Sequence, residues 1–268
     1  MLVAAVAVAI TAFKRDVGLS RAPSLLGDSG LLDDARPGHP GDLVITGMRG
    51  TAPDDALLQR IRSGEVAGVL LMGGNIRSRA QVKQLTSTLQ AAAEASGTGL
   101  PLLIAVDQEG GLVRRFKWLP PVASARTMAS WSNARIRRTG RATAVALRAV
   151  GVNVNLAPVA DVPTTSANFL TTRAFSFNRT RVAVAACAFS RGLRDGGVVS
   201  ALKHFPGLGA AGAANTDFTV TSIRRSVALL RRDTGAYRRC GAEAGTLAMM
   251  SNAIYPPLTT RAPAVLSP

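Results

Sequence analysis

The sequence predicts an α/β fold built on a parallel β-sheet that curls into a barrel. Three observations predict it. Short β-branched apolar runs alternate six times with longer amphipathic stretches, the pattern of βα units joined by right-handed crossovers. Hydrophobic residues make up 47% of the chain but aromatics only 4%, so the core must be built from Ala, Val and Leu, as in parallel sheets covered by helices. Polar residues recur just past successive apolar runs, at the end of the strands where barrels keep their chemistry. With 268 residues the chain has room for one such domain, for which roughly 250 residues is typical.

Taken in order, the chain divides into an N-terminal apolar segment and linker over residues 1–41 and a barrel domain over 42–268. Leu2 to Ile10 is apolar and Lys14 and Arg15 follow it. The run is too short for a membrane span and lacks the basic residues that precede the apolar part of a signal peptide. Two readings stay open: the remnant of an export signal, or an amphipathic start to the domain. Ser20 to Gly41, punctuated by Pro23, Gly27, Gly30, Pro37, Gly38 and Pro40, reads as linker.

Regular patterning starts at Asp42. Leu43 to Gly47 is the first expected strand, and Asp54 to Ser63 an amphipathic helix with an aspartate at its start. Val66 to Met72 is the second strand, ending in Gly73-Gly74-Asn75, and Ser78 to Ala95 a helix with Val82, Leu85 and Leu89 on one stripe. Leu102 to Val106 is the third strand and runs into Asp107-Gln108-Glu109-Gly110-Gly111. A helix over Arg135 to Val150 leads to the fourth strand, Val152 to Pro158, closed by Asp161. A helix over Arg181 to Asp195 leads to the fifth, Val198 to Leu202. Arg224 to Gly241 reads as one helix, and Thr246 to Met250 as the sixth strand, before Ser251-Asn252.

The fifth strand delivers Lys203-His204-Phe205-Pro206-Gly207-Leu208-Gly209. A β-branched run ending in Lys-His, then a proline and two glycines, brings two polar side chains to a loop that must turn at once. An isolated Lys-His pair is more often a surface charge and a satisfied core histidine. Here Asn75, Asp107, Glu109, Asn155, Asp161 and Asn252 fall at the same end of the other strands. Each alone is an ordinary loop residue or cap; together they are what a barrel active site requires.

Three segments carry a family resemblance. Asp107 to Phe116 (DQEGGLVRRF), Gly151 to Val162 (GVNVNLAPVADV) and Lys203 to Gly207 (KHFPG) resemble the motifs of the N-terminal barrel of family three glycoside hydrolases. The similarity is greatest to bacterial β-N-acetylhexosaminidases and runs from about Asp42 to Pro268. The resemblance implies a TIM-type (β/α)8 barrel, incomplete here with about six of its eight strands. It implies hydrolysis of a terminal β-linked N-acetylhexosamine by a retaining mechanism, with no metal or organic cofactor. Asp107, Arg115, Arg173, Lys203 and His204 match the residues that hold the sugar's hydroxyls, a role suited to charged groups because their hydrogen bonds are short and strong.

The chain departs from the family pattern in two ways. Leu208 stands where the hexosaminidases have a histidine. Asp217 matches the aspartate of their acid/base dyad, but Thr219 replaces the dyad histidine, and a hydroxyl cannot shuttle protons near neutral pH. Asp217 therefore reads either as a lone acid/base or as a loop aspartate near a helix start. The carboxylate nucleophile, which in retaining enzymes sits roughly 5 Å from the acid/base, belongs to the family's seventh strand, and this sequence ends before it. A weak or inactive hydrolase is expected, with a non-catalytic sugar-binding protein as the alternative. An arc of six strands also leaves an open edge, so poor solubility is expected.

The remaining composition narrows the other function classes. Lys and Arg number 32 against 16 Asp and Glu, a formal net charge of +16. That balance suits a nucleic acid or an anionic envelope surface. The arginines, however, are scattered at the spacing of solvated helix faces, as in Arg135-Ile136-Arg137-Arg138, with no interleaved aromatics and no recognition motif. No nucleic-acid partner is expected. Cys187 and Cys240 lack metal-ligand spacing and read as small core residues, with a disulfide only if the chain is exported. Export or association with the cell envelope is favoured over the cytoplasm.

Overall fold

A computed structural model describes residues 40–258 and 262–267. Its centre is a six-stranded, wholly parallel sheet whose spatial order is the order in sequence: β1 Ile45–Gly47, β2 Gly68–Leu71, β3 Leu103–Val106, β4 Val154–Asn155, β5 Val199–Phe205 and β6 Thr246–Met250. The register is continuous across the middle strands, with Leu71 opposite Val106, Val106 opposite Asn155, and Asn155 opposite Ser200. Between strands the chain crosses through helices α1 Asp55–Arg62, α2 Arg79–Glu94, α3 Ala125–Met128, α4 Asn133–Arg148, α5 Arg179–Asp195, α6 Val227–Asp233 and α7 Gly235–Cys240. This is the expected α/β half-barrel.

Local chemistry sets where the helices begin. Asp54, Ser78, Ser124, Ser132, Asn178 and Ser226 each stand at an N-cap and accept a hydrogen bond from a backbone N–H in the first turn of α1 to α6 respectively. Such caps satisfy donors that the helix itself cannot, and each is worth about 1 kcal/mol.

Both faces of the sheet are apolar, and alternation along each strand divides them. Val69, Leu71, Ile104, Val106 and Leu202 pack outward against Leu85, Leu89, Leu147, Phe189 and Leu193 of the helices. Ala105, Val154, Leu156 and Ala201 point to the concave side, where half-buried Leu70, Leu103, Val199, Leu247 and Met249 join them. Small residues let the outer layer close. A Cβ on Gly140 of α4 would lie 2.4 Å from Phe189 O, and one on Gly192 of α5 would lie 2.1 Å from Arg137 O. The two helices therefore cross with backbone nearly touching backbone.

The structure corrects several sequence expectations. The helix expected over 224–241 is two, α6 and α7, divided at Thr234, whose hydroxyl donates back to Arg231 O. The first strand starts at Ile45, because Pro40–Leu43 forms a 3-10 turn. The fourth strand is only Val154–Asn155, while the fifth runs on to Phe205. A small antiparallel hairpin, Gln108–Gly110 with Val113–Arg114, was not anticipated. Its turn uses Gly110 at φ +102° and Gly111 at φ +58°, a region where side chains are strained. Cys187 and Cys240 are core residues, as expected, but they are also joined by a disulfide that ties α5 to the end of α7. The apolar segment Leu2 to Ile10 and the linker up to residue 39 lie outside the described residues. Among the described residues no helix is long and apolar enough to cross a membrane.

Candidate sugar-binding cleft

The carboxyl ends of the strands surround a cleft of about 170 Å³. Every residue to which the family resemblance gives a sugar-holding or acid/base role lines it: Asp107, Arg115, Arg173, Lys203, His204 and Asp217. A larger cavity of about 280 Å³ sits at the opposite end of the sheet, walled by Ile61, Val66, Ala93 and Leu102 with Asp42 as its charged lining residue. Apolar walls of that kind offer no convergent polar groups, so the chemistry belongs to the smaller cleft.

Lys203 is the hub. Strand β5 buries it to 2% exposure, and its Nζ lies 2.6 Å from Asp107 Oδ1 and 2.6 Å from Glu109 Oε1. Arg173 approaches Glu109 as a bidentate fork, Nε to Oε2 at 2.9 Å and Nη2 to Oε1 at 2.7 Å. Arg115 reaches Asp107 Oδ2 more loosely, at 3.4 Å, and its Nε is buried without a partner among the described residues. Two carboxylates thus face three fixed cations, which leaves one positive charge in excess.

Burial alone would raise the pKa of both carboxyls. The charge and hydrogen bond of Lys203, with Arg115 and Arg173, outweigh it and hold Asp107 below the usual carboxylate range. Burial likewise opposes ionisation of Glu109, but Lys203 and the Arg173 fork prevail. Lys203 responds in the opposite sense: burial disfavours its charge, yet Asp107 and Glu109 raise it above the ordinary lysine value. All members of the network are therefore charged near neutral pH.

A second pair adjoins the first. His204 Nδ1 is 2.7 Å from Asp161 Oδ2, and the Asp161 side chain is completely buried. Asp161 also accepts from the backbone N–H of His204 and of Leu208. The Leu208 side chain turns away into a cluster with Leu170 and Tyr255. The position where the resembling motif carries histidine is thus part of the core.

Asp217 sits on an exposed loop at the rim, and its carboxylate makes no ion pair among the described residues. Thr219 is exposed and does not line the cleft. Asn252 lines it. Two polar residues at strand ends serve the fold instead. Asn155 exchanges hydrogen bonds with the backbone of Gln108. Asn75 accepts from Met72 N and donates to the carbonyls of Met48 and Gly50.

Glu109 and Asp161 were visible in the sequence as strand-end carboxylates, but their roles were not. Glu109 holds Arg173 and Lys203 together, and Asp161 holds His204. No group of His, Cys, Asp and Glu side chains among the described residues is arranged to take a metal ion.

Residues 41–268 match the family described as the glycosyl hydrolase family 3 N terminal domain. An uncharacterized secreted glycosyl hydrolase of Arthroderma benhamiae is 35% identical over 235 residues, which cover 85% of this chain and 66% of that protein. A β-hexosaminidase of Bordetella avium is 32% identical over 246 residues, 88% of this chain and 65% of the relative. The chain therefore spans about two thirds of the length of these relatives. Among solved structures, the β-N-acetylhexosaminidase of Beutenbergia cavernae superposes with TM-score 0.74 at 31% identity, over 83% of this chain and 69% of that one. NagZ of Neisseria gonorrhoeae, solved with N-trifluoroacetyl-D-glucosamine, gives TM-score 0.73 at 26% identity, over 82% of this chain and 64% of that one.

Proposed function

This chain belongs to glycosyl hydrolase family 3, through that family's N-terminal domain, and from that premise we propose that its cleft binds a terminal β-linked N-acetylhexosamine of a cell-wall or related glycan. The observation that carries this reading is the convergence of Asp107 and Arg115 after β3, Arg173 after β4, and Lys203 and His204 at the end of β5 on one cleft. Asp107 accepts from sugar hydroxyls, while Arg115, Arg173 and Lys203 donate to them. Their mutual ion pairs fix each group before the sugar arrives, so little ordering accompanies binding.

The chemistry the family reading implies is glycoside hydrolysis of the retaining kind, in which Asp217 would serve as acid/base and a second carboxylate as nucleophile. Asp217 is the cleft carboxylate left outside the ion-pair network, which keeps it available for proton transfer. Asp107, Glu109 and Asp161 are committed to cations or to His204, so none of them is placed to attack the anomeric carbon. A second reading, sugar binding without turnover, is favoured by Thr219 and Leu208, because neither residue puts a titratable group in the cleft. On the first reading the 268-residue chain cleaves slowly, and on the second it does not cleave. The barrel domain extends over 42–268, and export to an oxidising compartment is supported by the buried Cys187–Cys240 disulfide.

Titration calorimetry on the 268-residue chain tests the proposal. N-acetylglucosamine is expected to release heat at millimolar concentration, and Asp107→Asn to abolish it. Absence of heat with wild-type protein at millimolar sugar would overturn the reading. Rapid cleavage of a chromogenic N-acetylglucosaminide by the same chain would overturn the assignment of slow turnover.

A further inference from the structure

Asp161 has no assigned part in sugar binding, yet it organises the end of β5, which carries His204, and the turn that follows it. Its Oδ1 accepts from Leu208 N at 2.6 Å, and its Oδ2 accepts from His204 N at 3.2 Å and lies 2.7 Å from His204 Nδ1. An ionised carboxylate only accepts, so the hydrogen between Oδ2 and Nδ1 belongs to the imidazole. A neutral imidazole protonated on Nδ1 carries a bare lone pair on Nε2. His204 lines the cleft with a side chain 16% exposed, and its Nε2 has no hydrogen-bond partner among the described residues.

The cleft needs such a lone pair. Arg115, Arg173 and Lys203 only donate, and the Asp107 carboxylate, which accepts from Lys203 and Arg115, has lone pairs left for only part of a sugar's hydroxyls. A sugar hydroxyl both accepts and donates, so one held by a cation and out of reach of Asp107 needs another acceptor for its proton. We propose that Asp161 is a positioning residue that fixes His204 as the Nδ1–H tautomer, making Nε2 an acceptor for a sugar hydroxyl. The proposal rests on the sugar-binding reading of the cleft. The same logic holds where a carboxylate behind an imidazole sets which ring nitrogen is free.

The test has a readout in the ring itself. The sequence contains two histidines, so in the full chain carrying His39→Gln the nitrogen NMR spectrum of the imidazole reports His204 alone. The expected spectrum has the proton on Nδ1 and an unprotonated Nε2. A proton on Nε2 overturns the proposal without need of any further variant. Asp161→Asn, checked for folding by circular dichroism, is expected to shift the ring toward the Nε2–H tautomer. It should also weaken N-acetylglucosamine at least tenfold, with no more than a twofold further loss when introduced into His204→Ala. An Asp161→Asn loss that is equally large in the His204→Ala background would show that Asp161 acts on something else, and would also overturn it. If wild-type protein binds no N-acetylglucosamine while His204 keeps its proton on Nδ1, the sugar reading fails and the tautomer assignment stands.

Discussion

At the scale of single residues, the cleft is held by a few buried charges that survive only as a set. Lys203 is 2% exposed between two carboxylates, so removing its ammonium leaves both buried and short of a cation. Lys203→Met is expected to cost about 3–5 kcal/mol, measured by denaturant unfolding, whereas an exposed lysine would cost almost nothing. The pH dependence has a definite sign. Asp107 and Glu109 are held below their ordinary values in the folded chain, so their contribution is fully present above the unfolded carboxylate range, about pH 4. It fades as pH falls through the folded values, and the acid limb of stability should flatten in Lys203→Met. Asp107, Arg115, Arg173, Lys203 and His204 were legible as a set through the motifs that carry the family resemblance, and all five line one cleft. The sequence could not pair them. Lys203 and Asp107 are 96 residues apart, and their contact depends on the stagger of strands, which no local pattern encodes. Asn155 misled for the same reason, since its amide is used by the backbone of the neighbouring strand.

At the scale of elements, the sequence was most legible where a cap stood beside an apolar stripe. Helices α1 and α2 started within one residue of expectation because Asp54 and Ser78 are caps that sequence alone identifies. Where tertiary contacts decided, the sequence was silent. The break between α6 and α7 contains no proline, and the hairpin after β3 is only a few residues long. The disulfide between α5 and α7 is likewise invisible in spacing, because 53 residues separate its cysteines. It closes a long loop and anchors the helix that precedes β6, and neither cysteine lines the cleft. Replacing both Cys187 and Cys240 by alanine is therefore expected to lower stability by about 2–4 kcal/mol. The affinity for N-acetylglucosamine should stay within threefold of wild type. An unchanged midpoint in denaturant would contradict the first expectation, and a collapse of sugar binding in folded protein the second.

At the scale of the whole molecule, the alternation of strand and helix gave the architecture, and the chain order of the strands matches it without exception. Strands β1 and β6 are the two outermost, and the residues of β6 are all half-buried. Unpaired strand edges beside apolar surface are templates for pairing with another chain. Light scattering is expected to show the mean mass rising with protein concentration; a monodisperse monomer that melts reversibly would contradict this. The net charge of +16 opposes such association at low ionic strength and is screened as salt is added, so the rise should steepen in salt.

One geometric claim is central: five side chains from the carboxyl ends of three neighbouring strands form a single receptor for an amino sugar. A crystal of the chain soaked with N-acetylglucosamine tests it most directly. The sugar should appear with hydroxyls on Asp107, Arg115 and Lys203, and with one hydroxyl donating to His204 Nε2. A sugar bound elsewhere, or a cleft still empty at saturating concentration, would contradict it.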